Sequence, residues 1–178
     1  MWPNLAHPED DPFQLTISPE LEEPLSVLSG NLKFLIRPLS TVVFRRVFRL
    51  ALSKLHDQLW SEVLMRRRFT AFGATQFLHD CQAVFSVIDR FLPGSSSVMA
   101  KLKDGVALLN LPLALEVAAP TTEGVDRDAA VLMTLMEAND RVYKDNSEAR
   151  KVLGELGLTC LTPTEAREIT MRRVELQG

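Results

Sequence analysis

The chain has 178 residues, of which 46% are hydrophobic and 24% charged, a balance that fits one folded domain and excludes an intrinsically disordered protein. A formal net charge of −3 gives no overall attraction to nucleic acid. Two cysteines imply no disulfide framework and favour a reducing compartment, and the first residues lack the features of a secretory signal. Because no stretch of roughly 18 apolar residues occurs, we expect no membrane-spanning helix, although the chain could act at a membrane surface.

Residues 1–18 form an acidic, proline-rich lead-in that we predict to be extended and flexible. Three prolines and three carboxylates occur there without apolar periodicity: Pro3, Pro8, Pro12, Glu9, Asp10 and Asp11. Helical periodicity starts at Pro19, so we divide the chain into this lead-in and an α-helical domain over residues 19–178.

The first predicted helix has Ser18 as its N-cap and Pro19 at its first helical position. Leucines follow at spacings of three or four residues, which places them on one face: Leu21, Leu25, Leu28, Leu32 and Leu35. We expect Pro38 to end or kink this helix, because proline has no backbone N–H to donate.

The longest predicted helix opens at Ser40 or Thr41 and ends near Arg66–Arg68, where cations suit the negative end of the helix dipole. One apolar stripe runs along it through Phe44, Phe48, Leu52, Leu55, Leu59 and Val63. Further apolar residues, Val43, Val47, Leu50 and Leu64, widen this face, so we predict a helix packed on two sides. The alternative is that Val47, Leu50 and Leu64 face another domain and form an exposed apolar patch in this chain.

A break at Phe69–Gly73 separates that helix from the next one, which we predict over about Ala74–Leu92. Its buried face carries Phe77, Cys81, Val84, Ile88 and Phe91. The stretch Pro93–Ser97 is predicted to be a flexible connector. A short helix follows and ends at Asn110–Pro112; it buries Met99, Leu102, Val106 and Leu109.

The last third of the chain predicts a loop and three more helices. After the loop Ala118–Val125, a weak helix carries Val131, Leu132, Leu135 and Met136 and is predicted to be broken or loosened around Asn139–Asn146. A helix over Ala149–Leu156 stops at Gly157. The final helix starts with a capping box, Thr162–Glu165, and is predicted to run to about Leu176. No segment alternates as a strand, so the predicted fold is all-α, an antiparallel multi-helix bundle.

We find no motif for catalysis or for a cofactor. His79, Asp80 and Cys81 are adjacent, but neighbours on a helix point about 100° apart, so His79 and Cys81 cannot form a nucleophile–base pair. Cys81 lies on the apolar stripe, where a thiol behaves as a small hydrophobe. No histidine or cysteine spacing is typical of a metal site. We therefore expect a protein that is not an enzyme and binds no cofactor or metal.

A positive bias marks the longest helix, through Arg45, Arg46, Arg49, Arg66, Arg67 and Arg68. The simplest interpretation is a solvated face whose side-chain stems cover apolar surface. A second is docking to an acidic partner, including the chain's own Glu20–Glu23. A third is binding of anionic lipid headgroups, while nucleic acid is the weakest candidate because no reading motif accompanies the charges.

Three stretches carry a resemblance to a known family. The first is the helix–helix corner with Phe69, Gly73, Ala74, Gln76, Phe77 and Asp80. The second is Lys103–Leu111, and the third is Leu158–Val174 with Leu161, Glu165, Ala166, Ile169 and Arg172. In this order they resemble the C-terminal region of the Rad50-interacting-protein (RINT) family, subunits of the Dsl/NRZ vesicle-tethering complex among the exocyst-like helical-rod tethers.

The resemblance implies the C-terminal part of a helical-rod tether, acting in Golgi-to-ER retrograde transport where COPI vesicles meet SNARE proteins of the endoplasmic reticulum. It implies partners among ER SNARE proteins and other tethering-complex subunits, a cytoplasmic location peripheral to the ER membrane, and no small-molecule substrate. We expect binding through an apolar groove with a basic rim near Arg45, Arg49 and Arg66–Arg68. The alternative is a peripheral module that binds anionic lipid through the basic helix.

Two departures from the family pattern accompany this resemblance. Phe72 stands where the family commonly has the first glycine of a Gly-Gly pair, so we expect a different corner geometry. Family members are several times longer and have an N-terminal helical region that joins the complex. We therefore expect the chain to represent a C-terminal fragment, a truncated gene product or a short paralogue.

Overall fold

A computed structural model describes residues 15–113 and 133–177 of the chain. Within these ranges it contains seven α-helices and no β-strand, which confirms the predicted all-α helical bundle. The division at residue 18 stays a prediction, because residues 1–14 lie outside the described residues. The predicted loop Ala118–Val125 lies outside them as well, as do Val131 and Leu132.

Helix α1, Pro19–Leu35, forms where the sequence predicts it and ends before Pro38. It buries Leu25 and Leu32 against the rest of the bundle. Ser18 is the N-cap residue and Pro19 follows it, as predicted, but the Ser18 side chain makes no capping hydrogen bond. Its hydroxyl donates instead to a carboxylate on α3, as described below.

Helix α2, Thr41–Gln58, starts at Ser40, whose side chain accepts a hydrogen bond from the Val43 N–H. Phe44, Phe48 and Leu52 are buried, and the two phenylalanine rings stack 5.4 Å apart. The predicted packing on two sides is wrong in the described part of the chain. Of the four residues that widen the apolar face, Leu64 is buried, but Val43, Val47 and Leu50 are exposed, at 46%, 41% and 64%.

A π-helical turn, Leu59–Leu64, continues α2 and ends just before the arginines. The Met65 N–H donates to the Trp60 carbonyl at 2.9 Å, which closes the wider ring of a π-helix. Trp60 and Leu64 pack onto α4 at Gly105, where a Cβ atom would lie only 2.7 Å from a Leu64 methyl carbon. Any larger residue at position 105 would therefore force the Leu64 or Trp60 side chain to move.

Helix α3, Ala71–Phe91, begins about three residues earlier than predicted, because Thr70 caps it by accepting the Gly73 N–H at 3.1 Å. The predicted core residues Phe77, Cys81, Val84 and Ile88 are buried, whereas Phe91 is half-buried.

The prediction that Pro93–Ser97 is a flexible connector is wrong, because Ser95–Met99 forms a 3₁₀-helix. This helix leads into α4, Ala100–Leu109. Ser96 is buried, and both its N–H and its hydroxyl donate to the Asp89 carboxylate, at 2.9 and 2.5 Å. These two bonds tie the turn back to the end of α3.

Helices α5, Leu135–Lys144, and α6, Asn146–Glu155, follow each other with one residue between them. The break predicted around Asn139–Asn146 is therefore present, and it is confined to one residue. The interruption is Asp145, whose carboxylate accepts the N–H groups of Ser147 and Glu148 at 2.7 and 2.8 Å and so caps α6. The sequence analysis did not identify Asp145 as this cap, and it placed the start of α6 at Ala149 instead of Asn146.

Helix α7, Pro163–Thr170, has the predicted capping box between Thr162 and Glu165. It ends about six residues earlier than predicted, because the chain turns and pairs with the corner before α3. A short 3₁₀-helix, Val174–Gln177, closes the described chain.

Candidate functional site

The corner of the family resemblance anchors the start of α1 onto α3. Asp80 is buried, at 3% exposure, and its two oxygens accept the N–H and the hydroxyl of Ser18, at 2.9 and 2.6 Å. Gln76, one helical turn before Asp80, donates to the Thr16 carbonyl at 2.9 Å and to Asp80 itself at 3.1 Å. These two motif residues therefore hold residues 16–18 in place and give the buried Ser18 N–H and hydroxyl an acceptor.

The same corner also holds the C-terminal end of the described chain. Phe69 is buried, stacks on Phe77 with ring centroids 5.4 Å apart, and exchanges backbone hydrogen bonds with the stretch after α7. Its N–H donates to the Arg172 carbonyl at 2.8 Å, and its carbonyl accepts from Val174 at 3.0 Å. This pairing is what ends α7 early.

Sequence reasoning missed two charged residues that complete this junction. Arg173 is 2% exposed; it donates to the Leu109 carbonyl at 2.7 Å and to the Glu175 carboxylate at 3.0 Å. Glu175 in turn accepts the Ala71 N–H at 2.6 Å, at the first turn of α3. Nothing in the local sequence marks these residues, because their partners lie roughly 60 to 100 positions away.

All three stretches of the resemblance thus meet in one junction. In the second stretch Gly105 packs against Leu64, and the nearest side chain on the third stretch is Ile169. Glu165 of the third stretch forms an ion pair with Lys101, whose Nζ lies 2.5 Å from Glu165 Oε1. Burial alone would raise the pKa of Glu165, but hydrogen bonds from Lys101 and Thr162 hold that pKa below its ordinary value.

Phe72, which departs from the family pattern, and Gly73 both lie in the first turn of α3. A Cβ atom at Gly73 would have Thr70 Oγ1 at 3.4 Å, an ordinary contact, so space does not demand a glycine there. Phe72 lies in the first turn of α3 and is 43% exposed. A side chain at this position therefore points away from the core and leaves the junction intact.

The cysteine considered for catalysis is a core residue. Cys81 is 1% exposed. Burial, together with the neighbouring Asp80, raises the pKa of its thiol to about 12. A protonated, buried thiol is a poor nucleophile. In the described part of the chain, no group of three His, Cys, Asp or Glu side chains is placed to hold a metal ion.

The six arginines of the predicted basic face fall into two separate groups. Arg45, Arg46 and Arg49 are exposed on the first half of α2. Arg66–Arg68 follow the π-helical turn, roughly 30 Å further along the helix axis at 1.5 Å per residue. Arg66 pairs with the exposed Glu62 at 2.6 Å. The structure therefore does not bring the two groups to one rim.

The first group lacks a counter-charge among the described residues. None of Arg45, Arg46 and Arg49 takes part in an ion pair there. Glu20–Glu23, the acidic segment considered as an internal partner, lies in the first turns of α1 and makes no such pair either. The sequence between Glu23 and Asp57 contains no acidic residue at all.

This unpaired charge lies beside exposed apolar side chains, and we call the two together the α2 outer face. It consists of Val43, Arg45, Arg46, Val47, Arg49 and Leu50. Val43, Val47 and Leu50 share one side of the helix, at spacings of four and three residues. Next to α2, at the end of α1, Phe34 is 72% exposed.

An apolar cleft of about 210 Å³ lies between α1 and α2. Its lining comes from both helices and from α3 below: Leu21, Pro24, Leu25, Leu28, Leu32, Phe48, Ala51, Leu52, Leu55 and Val84. The sequence stripe of leucines on α1 predicts a buried face but cannot show that this face leaves a gap.

Comparison with known proteins gives one match. The RINT-1/TIP-1 family model matches residues 1–173. No curated protein sequence and no solved structure matches the chain. Among the described residues, no helix is both long enough and apolar enough to cross a membrane.

Proposed function

Because the chain belongs to the RINT-1/TIP-1 family, we propose that it is a non-enzymatic protein-interaction module of a vesicle-tethering subunit in Golgi-to-ER retrograde transport. Family membership supports the tethering role. The partners that we propose are helices of ER SNARE proteins and of other tethering-complex subunits, met at the cytoplasmic side of the endoplasmic reticulum membrane.

One observation carries the proposal for the binding surface. The α2 outer face exposes apolar and cationic side chains together, whereas the motif corner has its polar groups paired inside the chain. Exposed apolar surface beside unpaired charge is typical of a protein-binding site. A rigid helical bundle needs no cofactor or catalytic group to present such a surface.

The test is capture of ER SNARE cytoplasmic segments and of tethering-complex subunits by the immobilised full chain. Two salt concentrations separate apolar from purely electrostatic contacts, since a screening length of about 10 Å at 0.1 M falls to about 3 Å at 1 M. Capture that persists at the higher salt supports the proposal. Absence of capture at both would contradict it.

A second candidate function is binding of anionic lipid, favoured by the run of six cations without an acidic residue between Glu23 and Asp57. Such binding is worth about 1 kcal/mol per charge close to the membrane and fades with salt. Co-sedimentation with phosphatidylserine vesicles that disappears at high salt, without any protein capture, would favour it.

A further inference from the structure

The cleft between α1 and α2 has the size and the lining of a receptor for one apolar side chain. Its volume is about 210 Å³, and none of the described residues that line it is charged. An apolar cavity of about 150 Å³ already holds a benzene molecule. The cleft therefore has room for one phenylalanine, leucine or comparable side chain.

The cleft is continuous with the α2 outer face. Ala51 lines the cleft and is itself exposed. Val47 lies one turn before Ala51, and Val43 lies one turn before Val47, so the three share one side of α2. Together they form an apolar strip roughly 12 Å long, at 1.5 Å per residue. This length matches the apolar face of about two turns of a second helix.

Cations accompany the strip. Arg46 and Lys54 project from the same solvent-facing half of α2 as Val47, and neither makes an ion pair in the described part of the chain. A ligand that covers the strip places its own flanks beside these charges. At the Arg46 end of the strip, carboxylates on those flanks would be attracted, whereas ammonium or guanidinium groups would be repelled. At the other end Glu20, Glu22 and Glu23 of α1 lie next to the cleft residues Leu21 and Pro24, so the expected preference for carboxylates applies to the Arg46 end.

We propose that the cleft and strip bind an acidic amphipathic helix of a partner protein, which inserts one bulky apolar side chain between α1 and α2. This inference rests on the proposed function, since it names the chemical class of helix that the surface takes. The inserted side chain is the anchor of the interface, and the strip and its cations set the orientation of the helix.

The shape of the surface favours a helix over a membrane. Protein segments that dock on lipid project tryptophan, phenylalanine or leucine side chains outward into the acyl boundary. Leu50 and Phe34 do project outward near this surface, but the strip itself consists of Val43, Val47 and Ala51, and the apolar cleft beside it is recessed. A recess requires a ligand with a side chain of defined shape.

The experiment uses the full chain as bait for a phage-displayed library of helical peptides of about 18 residues. Apolar positions at i, i+3, i+4 and i+7 vary among Ala, Leu, Phe and Trp, and the flanking positions vary between Glu and Lys. Two variants of the chain accompany it. Ala51→Phe fills the mouth of the cleft, and Ala107→Phe adds the same ring at an exposed alanine of α4 as a matched control.

The proposal predicts peptides with glutamate flanks and one large apolar anchor. Their affinity falls at least about tenfold for Ala51→Phe and for Arg46→Glu, and is unchanged for Ala107→Phe. Circular dichroism checks that all three variants are folded. Absence of enrichment, lysine-rich peptides, or equal binding to Ala51→Phe would each overturn the proposal.

Parallel measurements separate this inference from the proposed function. If the wild-type chain captures SNARE or tether segments and Ala51→Phe captures them equally well, the cleft proposal fails and the proposed function stands. If the chain enriches peptides with glutamate flanks and one large apolar anchor but captures no tether or SNARE segment, the proposed function fails and the cleft proposal stands. Vesicle binding without peptide enrichment would assign the face to lipid. A dimer that Ala51→Phe dissociates would assign the face to a second copy of the chain. Either result would overturn the cleft proposal.

Discussion

The motif corner and the α2 outer face differ in whether their side chains have partners inside the chain. The motif corner is the set of residues at the start of α3 that carries the family resemblance: Phe69, Gly73, Ala74, Gln76, Phe77 and Asp80. At the corner, Asp80 and Gln76 are surrounded by partners from a distant part of the chain, and the buried Phe69 pairs with the chain's other end. On the α2 outer face, Val47 and Leu50 are exposed and the arginines beside them have no counter-charge among the described residues.

This difference separates the residues that carry the resemblance to the family from those that we propose to bind a partner. The motif residues hold three segments together, so a change there removes buried hydrogen bonds or packing and lowers stability. The α2 outer face contributes little to the fold, so a change there alters binding and leaves stability nearly constant. The following variants test that separation, from the largest expected effect to the smallest.

Replacement of Asp80 by alanine is expected to have the largest effect on stability. It leaves the buried N–H and hydroxyl of Ser18 without an acceptor, and an unpaired buried polar group costs about 1–3 kcal/mol. We expect the free energy of unfolding in urea to fall by about 3 kcal/mol. Asp140→Ala, at an exposed position of α5, is the control and should change it by less than about 0.5 kcal/mol. Equal, small effects of both variants would show that the corner is not a structural anchor.

Replacement of Gly105 by alanine tests the contact between the π-helical turn and α4. The new methyl group would lie 2.7 Å from Leu64 and 3.0 Å from Trp60, and such overpacking costs about 1–3 kcal/mol. The matched control is Gly154→Ala in α6, where nothing lies within 4 Å of the added carbon. There alanine should stabilise the helix by up to about 1 kcal/mol. Thermal unfolding measures both, and a stabilised Gly105→Ala would contradict the packing.

The smallest effect is expected for Arg141, an arginine that has partners, unlike those of α2. It donates to Glu148 and to both oxygens of Glu155 at 2.6–2.9 Å. These bonds hold the pKa of both carboxyl groups below the ordinary value of 4.5. A lowered folded-state pKa stabilises the protein above about pH 4.5, and this contribution disappears as the pH falls through the folded pKa.

Arg141→Gln should therefore lower the melting temperature slightly at neutral pH and have less effect near pH 3. Arg46→Gln, on the α2 outer face, is the matched control and should leave the melting temperature unchanged at both pH values. A pH-independent loss in Arg141→Gln would mean that packing of its side chain, and not its charge, joins α5 to α6.

Local signals in the sequence were sufficient for most of the fold. The capping box at Thr162 and Glu165, the leucine spacing of α1 and the positive φ of 70° at Gly157 all depend on neighbours within a few residues. Two errors were local, at the Asp145 cap and at the turn Ser95–Met99, whereas the others arose where a distant segment decides the outcome. Helix α7 ends early because Phe69 pairs with the residues that follow it.

The candidate site was less predictable than the fold. Helical periodicity marks Val43, Val47 and Leu50 as one apolar side, but it cannot state whether another helix covers that side. The pairing of Ser18 with Asp80 spans 62 positions and has no sequence signal beyond a polar residue on a buried face. The distance between Arg49 and Arg66, by contrast, follows directly from the length of helix between them.

The most direct test of the account compares one corner variant with one outer-face variant in the capture assay with ER SNARE segments and tether subunits. Gln76→Ala removes the bond to the Thr16 carbonyl, and the double variant Arg46→Glu, Val47→Asn changes charge and apolarity on α2. Circular dichroism confirms at low temperature that both are folded. The account predicts that Gln76→Ala captures partners as the wild type does, with a lower melting temperature, and that the double variant melts normally and captures none. Loss of capture in Gln76→Ala with full capture by the double variant would contradict it.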